Sequence, residues 1–344
     1  MFVFCSGMAS AIAFGRAFDR AGFVLGTARV GYRIWQVYWA HIGMFLFIAT
    51  MLFAIDQIGA FDKVYIGSLN LWKFFAEPGP QLVGLMTLTY VPNYFDILPM
   101  YMVVLAIMPL MMLLSRLSLL AVAGMVVVLW LLAQERILTG VGLEAWHLSF
   151  PAEPWSDRQW FFNPFGWQLV FFTGFALMRG WIPAPPVTKP LLLLAGAIVL
   201  ANVPLSNIGV REFGFDWARD WRIANKVLIT KSDFGILRYV HFLALAYLGW
   251  AAAGGGGARL IAPGTSVVAR IWDRILRVIM KVGQQSLAVF VFSMVLARLN
   301  GLWLDIIGRD AMTWTVVNLT GCAMLVACAY TVGWIKSHPW RVVK

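Results

Sequence analysis

Long apolar runs without charged residues recur along the chain, and short segments that hold nearly all of the charges separate them. About 20 such residues in a helix cross a hydrocarbon core of about 30 Å. A stub occupies about Met1–Phe14, and eight full runs follow near Val37–Ile55, Ile97–Ser115, Leu117–Ala133, Trp160–Met178, Pro190–Val210, Tyr239–Gly254, Val282–Leu299 and Met312–Ile335. Apart from Arg298 at one boundary, these runs contain no Asp, Glu, Lys or Arg. The pattern predicts an all-α, polytopic integral membrane helical bundle of about nine transmembrane helices.

The composition excludes a soluble enzyme. Hydrophobic residues make up 61% of the 344 positions and charged residues 12%, about half of the charged share in an average globular protein. The sequence contains no phosphate-binding glycine-rich loop, no dinucleotide-binding fingerprint and no zinc-protease motif. Its three cysteines all lie in apolar runs, so we expect neither a disulfide framework nor a bound metal.

The charges alternate from one connecting segment to the next. Residues 15–36, 116, 179–189, 255–281 and 336–344 together hold 15 Lys or Arg and only two acids, whereas the segments between them hold 12 basic and 14 acidic residues. By the positive-inside rule the first set is cytoplasmic. The chain is then expected in the inner (cytoplasmic) membrane with its N-terminus periplasmic and its C-terminus cytoplasmic. The net charge of +11 needs no nucleic-acid partner.

Ionisable residues near the membrane are the first candidates for chemistry, because burying them is costly unless they are paired or functional. His241 begins one run beside Arg238, Asp96 directly precedes another, and His41 lies one turn into a third. By the predicted topology the first two blocks lie on the outer side and His41 on the inner side. The alternative is that each histidine only bonds a neighbouring carbonyl or carboxylate.

Five ordered blocks resemble one family. They are Phe2–Gly7 with Ala13–Arg16, then Val91–Pro99, Trp160–Gln168, Leu237–Tyr247 and Gly283–Phe290. These residues are similar to the OpgC family, which modifies osmoregulated periplasmic glucans and is related to the membrane acyltransferase 3 group. The resemblance spans nearly the whole chain, so residues 1–344 are interpreted as a single OpgC-like transmembrane acyltransferase domain.

The resemblance implies transfer of a succinyl or similar acyl group from cytoplasmic succinyl-CoA to glucose residues of the glucan, with no bound cofactor. For this reaction we expect a catalytic group of His241, Arg238 and Asp96, in which Arg238 holds the acyl carboxylate or pairs with Asp96 and His241 bonds the acceptor or orients the reacting carbonyl. The Asn93/Asp96 and Arg238/His241 blocks are expected to converge on one polar site. The expected substrate-binding residues are Asn93, Tyr94, Asn163, Gln168, Gln285, Ser286 and His41, with His41 near the entrance for the donor.

One departure from the family pattern is large. Members begin with a helix that carries an Asp, an Arg-Gly pair and an Asp-His pair, and no such helix is found here. We therefore expect a first helix to be missing, ten helices in the full architecture, and the main catalytic pair on the missing helix. An inactive membrane fragment stays open as an alternative. So does a transporter or flippase for a glycan or acyl donor, which charged residues within spans or inverted repeats would favour.

Overall fold

The computed structural model describes residues 1–59, 63–261 and 264–341, and in these ranges the chain is helical, with one isolated β-bridge between Pro151 and Gln159. The α-helices are α1 Phe2–Ser10, α2 Arg16–Ile58, α3 Tyr65–Ser68, α4 Trp72–Ala76, α5 Pro78–Thr87, α6 Ile97–Leu114, α7 Leu119–Leu132, α8 Glu135–Gly140, α9 Pro164–Arg179, α10 Lys189–Ala201, α11 Asn207–Arg211, α12 Asp216–Ala224, α13 Lys226–Ile229, α14 Ile236–Ala253, α15 Val267–Gln284, α16 Ser286–Ile307 and α17 Ala311–Lys336. A π-helical turn covers Ala11–Gly15, and 3-10 turns cover Glu144–Trp146 and Gly255–Leu260. The all-α prediction is confirmed. Parts of the predicted segments 56–96, 255–281 and 336–344 lie outside the described residues.

Five helical stretches of the described chain are long and apolar enough to cross a membrane: Phe2–Ile58, α6, α14, α16 and α17. Two further apolar helices, α7 and α10, are shorter, with 14 and 13 residues, and α9 has 16. The structure therefore supports a helical membrane protein, while the count of nine crossings stays a prediction.

The predicted cytoplasmic link 15–36 does contain a break between two helices, at Gly22, but most of its residues are themselves helical. The stub continues through the π-helical turn into α2, which already begins at Arg16. Residues with good helix propensity such as Arg and Ala recur in this stretch, so its charges do not end the helix. At Gly22, with φ 80° and ψ 178°, the backbone leaves helical geometry, so the range Arg16–Ile58 consists of two helices that meet at this glycine.

The predicted run Pro190–Val210 is also shorter in the structure. Helix α10 ends at Ala201, and α11 begins at Asn207 after Ser206 caps it by accepting a hydrogen bond from the Gly209 amide at 2.9 Å. Pro204 lies between the two helices. Because proline lacks an amide donor and collides with the preceding turn, it separates the helices here instead of kinking one.

The chain divides into two compact units, and the first comprises Met1–Tyr38 and Leu69–Gly257. Helix α9 lies at its centre and packs against α1, α6 and α7. The crossing of α1 with α9 depends on two glycines: a Cβ at Gly7 would collide with the Phe171 carbonyl, and one at Gly174 with the Phe4 carbonyl. Close approach of helices through small residues is typical of membrane bundles.

An ion pair joins the end of α9 to the start of α2. Arg179, the last residue of α9, contacts Asp19 of α2 with both terminal nitrogens, at 2.6 and 3.0 Å. Such a bidentate pair fixes direction as well as distance. It holds the start of α2 against the end of α9.

The second unit comprises Trp39–Ser68 and Ala258–Lys344. Helices α16 and α17 pack along each other, and α15 packs against α17. Near the end of α16, Asp305 contacts Lys63 at 2.8 Å, the Tyr65 hydroxyl at 3.0 Å and Arg309 at 2.5 Å. These contacts tie the segment after α2 to α16. The prediction of a single domain stays a prediction.

Candidate functional site

Asp96 lies in the first unit, directly before α6, and its side chain is buried. One carboxylate oxygen accepts a hydrogen bond from the Phe161 amide at 3.0 Å. Burial raises the pKa of Asp96 to about 6, while the Phe161 amide and the charge of Arg158 partly oppose this increase. The carboxyl group can therefore gain or lose a proton close to neutral pH.

Arg158 organises the polar side of the same block. Its terminal nitrogens donate to the Asn93 side-chain oxygen at 3.1 Å and to the Val91 carbonyl at 3.0 Å. Its Nε lies 3.1 Å from an oxygen of the buried Glu153, in an ion pair without hydrogen-bond alignment. Arg158 and Glu153 are not among the residues predicted from the sequence, because both lie in a connecting segment whose fold no periodic pattern reveals. The only feature of the sequence that pointed to this segment is its high content of acidic and aromatic residues.

Backbone hydrogen bonds explain how this connecting segment reaches Asp96. The Val91 amide donates to the Ala152 carbonyl at 2.8 Å, and the Ala152 amide donates to the Arg158 carbonyl at 2.7 Å. The segment thus folds back on itself beside the start of α6. Tyr94, which was predicted to bind substrate, lies in the turn between Val91 and Asp96 and has a φ of 87°. A non-glycine residue there is strained and needs support from its surroundings.

Asn163 and Gln168 both have structural partners. Asn163 caps α9 by accepting from the Phe165 amide at 3.1 Å, and its side-chain amide donates to the Leu148 carbonyl at 2.8 Å. Gln168 is fully buried and donates to the Val126 carbonyl of α7 at 2.7 Å. Its side-chain oxygen has no hydrogen-bond partner among the described residues. Both residues therefore position α9, and Gln168 retains one available acceptor.

The segment before α14 is docked onto the start of α9. The Asn163 amide donates to the Ser232 carbonyl at 3.0 Å, and the Trp167 indole donates to the Lys231 carbonyl at 3.0 Å. The Lys231 ammonium lies 5.1 Å from the centre of the Phe161 ring, and Phe161 is the residue whose amide holds Asp96. The Asp96 block and the start of α14 are thereby connected through residues 161–167. Their convergence on one site stays a prediction.

Asp233, in the middle of the docked segment, carries a further carboxyl group, which is half-buried. Burial raises its pKa, and the nearby His147 and Asn163 partly offset this increase. Its carbonyl accepts from the Gln134 side chain at 2.7 Å, and a Cβ at Gly166 would collide with the same carbonyl. The next residue, Phe234, is buried with φ 57°. These contacts fix the direction in which α14 begins.

Arg238 and His241 follow in the first turns of α14. Arg238 donates to the Ile229 carbonyl at 3.0 Å, and Arg222 of α12 lies close enough to repel it electrostatically. Arg222 in turn donates to the Asn207 side chain at 3.0 Å. Neither arginine forms an ion pair with a carboxylate of the described residues, and the suggested pairing of Arg238 with Asp96 is not found there. His241 is half-buried and lies near Arg238 of this pair of arginines, whose hydrogen-bond partners among the described residues are neutral.

The remaining candidates belong to the second unit. His41 is fully buried in α2, and neither ring nitrogen has a hydrogen-bond partner within the described ranges. Gln285 is buried before α16 and accepts a hydrogen bond from Lys336 at 2.8 Å. Ser286 is exposed at the first position of α16. Across the parts of the chain that the structure describes, no three His, Cys, Asp or Glu side chains form a metal-binding group.

Comparison with known proteins gives one match. A family model described as OpgC protein matches residues 1–337. No curated protein and no solved structure matches the chain significantly. The family match indicates a role of acyltransferase type in the modification of osmoregulated periplasmic glucans, and the apolar helices agree with a membrane protein.

Proposed function

The chain belongs to the OpgC protein family, and from this membership we propose that it transfers a succinyl or similar acyl group from a cytoplasmic acyl-CoA to glucose residues of osmoregulated periplasmic glucans. It acts from the inner membrane, with the donor reaching it from the cytoplasm and the acceptor from the periplasm. Because the donor and the acceptor lie on opposite sides of the membrane, the site where they react must lie within the membrane protein.

The observation that carries this proposal is a pair of guanidinium groups, of which Arg238 lies near His241 and Arg222 lies near Arg238. Within the described residues their hydrogen bonds go to neutral oxygens, of Asn207 for Arg222 and of Ile229 for Arg238. A succinyl group carries a free carboxylate, and planar guanidinium groups bind carboxylates well through paired hydrogen bonds. We assign the acyl carboxylate to these two arginines, which orients the thioester carbon toward His241.

The reaction needs a base and a hydrogen-bonded acceptor. The Asp-His pair expected from the family is absent from this sequence, so among the residues present we assign the base to His241. It removes the proton of a glucose hydroxyl, the hydroxyl oxygen bonds to the thioester carbon, and the carbon–sulfur bond breaks. The departing thiolate takes up a proton as coenzyme A. Asp96, whose pKa is about 6, holds and releases a proton near this pH and orients the acceptor together with Asn93 and Tyr94.

The other candidates position the substrates or the helices that hold them. Asn163 and Gln168 keep α9 in place, and that they also contact the substrate stays a prediction. That His41, Gln285 and Ser286, all in the second unit, bind substrate stays a prediction. The ring of His41 is fully buried and has no hydrogen-bond partner within the described ranges.

The test measures acyl transfer directly. Membranes from cells that produce the chain and lack another glucan acyltransferase are incubated with labelled succinyl-CoA and neutral glucan. Anion-exchange chromatography then separates succinylated from neutral glucan. Label on the glucan supports the proposal, and its absence with the folded protein present at normal level contradicts it.

Arginine variants separate recognition of the carboxylate from general damage. Arg238→Gln and Arg222→Gln each lose one charge-assisted contact, for which about 10- to 100-fold lower succinyl transfer is expected. Transfer from acetyl-CoA, which lacks the carboxylate, should change much less. Arg211→Gln removes an exposed charge from the same connecting region and is the matched control.

His241→Ala tests the base. A loss of about 10²- to 10⁴-fold in succinyl transfer at unchanged protein level is expected for a general base. A loss below tenfold would assign His241 a structural role. Arg238→Lys keeps the charge and removes the paired hydrogen bonds, so partial activity in that variant would show the value of the guanidinium geometry.

A further inference from the structure

Helix α15, Val267–Gln284, presents an apolar face that the protein does not cover. Val268, Ile271, Trp272, Ile275 and Ile279 recur at the spacing of one helix face, and they are 76%, 52%, 39%, 44% and 57% exposed. Removal of such side chains from water is favourable. A continuous exposed face of this kind marks an interaction surface.

The opposite face of α15 is basic. Arg270, Arg274, Arg277 and Lys281 follow one another at helical spacing, and Asp273 is the single acid of the helix. Asp273 lies 3.7 Å from Arg277. Arg270 and Arg274 are exposed, and neither pairs with a carboxylate of the described residues.

The helix is held in place by its own unit. Ser266 caps it by accepting from the Ala269 amide at 3.2 Å, and the Trp272 indole donates to the Leu260 carbonyl at 2.7 Å. At its other end, the Lys281 ammonium lies 5.9 Å from the centre of the Tyr330 ring of α17. The two faces are therefore presented in a defined orientation.

Five charges in 18 residues make α15 unsuitable as a span, although its length would be sufficient. A helix with a large apolar face and a strongly basic face is typical of segments that lie in the plane of a membrane surface. We propose that α15 lies in the headgroup region of the bilayer, with its apolar face toward the acyl chains, and that Arg270, Arg274 and Arg277 bind phosphates of anionic phospholipids.

Charge complementarity favours this occupant over a second copy of the chain. The basic face attracts an anionic leaflet, whereas the same face on another copy, itself of net charge +11, would be repelled. The arrangement gives the lipid two contacts at once, an apolar one and an ionic one. Anionic phospholipid is thus recognised by chemistry that neither face supplies alone.

The first experiment places the apolar face. The full chain, with Cys5, Cys322 and Cys328 replaced by Ser, carries one new cysteine at Ile275 or, as matched control, at Asp273 on the polar face. A nitroxide label on each is measured in nanodiscs that contain phosphatidylglycerol. At position 275 we expect high accessibility to oxygen and low accessibility to a water-soluble nickel chelate, and the reverse at 273.

Two results would overturn the membrane contact. Equal access of the nickel chelate to both positions would mean that the apolar face is in water. Protection of position 275 from both oxygen and nickel would mean that protein covers it, either a second copy or a partner.

The second experiment tests the basic face with phosphatidylglycerol retained by the purified protein, counted by mass spectrometry. The double variant R270Q/R274Q should bind this lipid roughly 10- to 30-fold more weakly than the unmodified chain. R270K/R274K should retain most of the binding, and R29Q, an exposed charge on α2, is the matched control. If R270Q/R274Q retains as much lipid as R29Q, the lipid site is excluded.

Discussion

Replacement of Asp96 by Asn should change how stability depends on pH. The folded pKa of Asp96 is about 6 because of burial, against an ordinary value of 3.8. The folded protein therefore keeps this proton to higher pH than the unfolded chain does. The favourable contribution is complete below about pH 3.8 and is lost as the pH rises through 6. Linkage with these two values gives a loss of about 2 kcal/mol between pH 4.5 and pH 7.

The assay is thermal unfolding of the full chain in one detergent, at pH values from 4.5 to 7. Asn keeps an oxygen that can accept from the Phe161 amide but does not titrate. The difference in unfolding free energy between variant and wild type should move by about 2 kcal/mol in favour of the variant as the pH rises. This comparison cancels the other titrating groups, which both proteins share.

Asp310→Asn is the control. Asp310 is exposed, and hydrogen bonds from the Thr313 side chain and amide hold the pKa of its carboxyl below its usual range. Its contribution is lost only as the pH falls below about 3.8, so the difference for this variant should be flat between pH 4.5 and 7. If the Asp96→Asn difference were equally flat, a buried carboxyl group of raised pKa would be refuted.

Three other predictions test packing and topology. Gly7→Ala should lower the unfolding free energy by about 1–3 kcal/mol, because its Cβ meets the Phe171 carbonyl, whereas Gly124→Ala, which meets no atom within 4 Å, should not; the midpoint of thermal unfolding measures both. Asp19→Asn should cost less than about 1 kcal/mol in the same assay, because the carboxylate is half exposed. Thr265→Cys in a chain without other cysteines should resist an impermeant thiol reagent in intact cells, and ready labelling would overturn the predicted cytoplasmic side.

The apolar runs of the sequence predicted the bounds of several helices closely, because a helix that lies in lipid requires a continuous uncharged sequence. The run Ile97–Ser115 corresponds to α6, Ile97–Leu114. The next run, Leu117–Ala133, corresponds to α7, which begins after its N-cap residue Ser118. The charged link 15–36 was predicted less closely: a break between two helices does lie within it, at Gly22, but the residues on both sides of that glycine are helical. Arg and Ala are good helix formers, so the charges of this segment do not by themselves end a helix.

The polar contacts could not be predicted in the same way. Asp96 was singled out because it precedes a span, yet its partner proved to be a backbone amide of Phe161, 65 positions later. Arg158 and Glu153 bond within a connecting segment, and only the fold brings Asn93 to them. Side-chain spacing along a helix predicts neighbours three or four residues apart, and it says nothing about partners in irregular segments.

A strained backbone residue lies near each of the two candidate blocks. Tyr94 and Phe234 both have positive φ values, 87° and 57°, and each lies within seven residues of a proposed reacting group, Asp96 or His241. Such conformations cost about 1–3 kcal/mol and persist only where surrounding contacts impose them. For Phe234 the indole of Trp130 donates to its carbonyl at 2.9 Å, so the surroundings do impose it. A glycine would form either turn without strain. The strained, packed aromatic residues therefore favour a defined placement of Asp96 and His241 over a turn that merely changes direction.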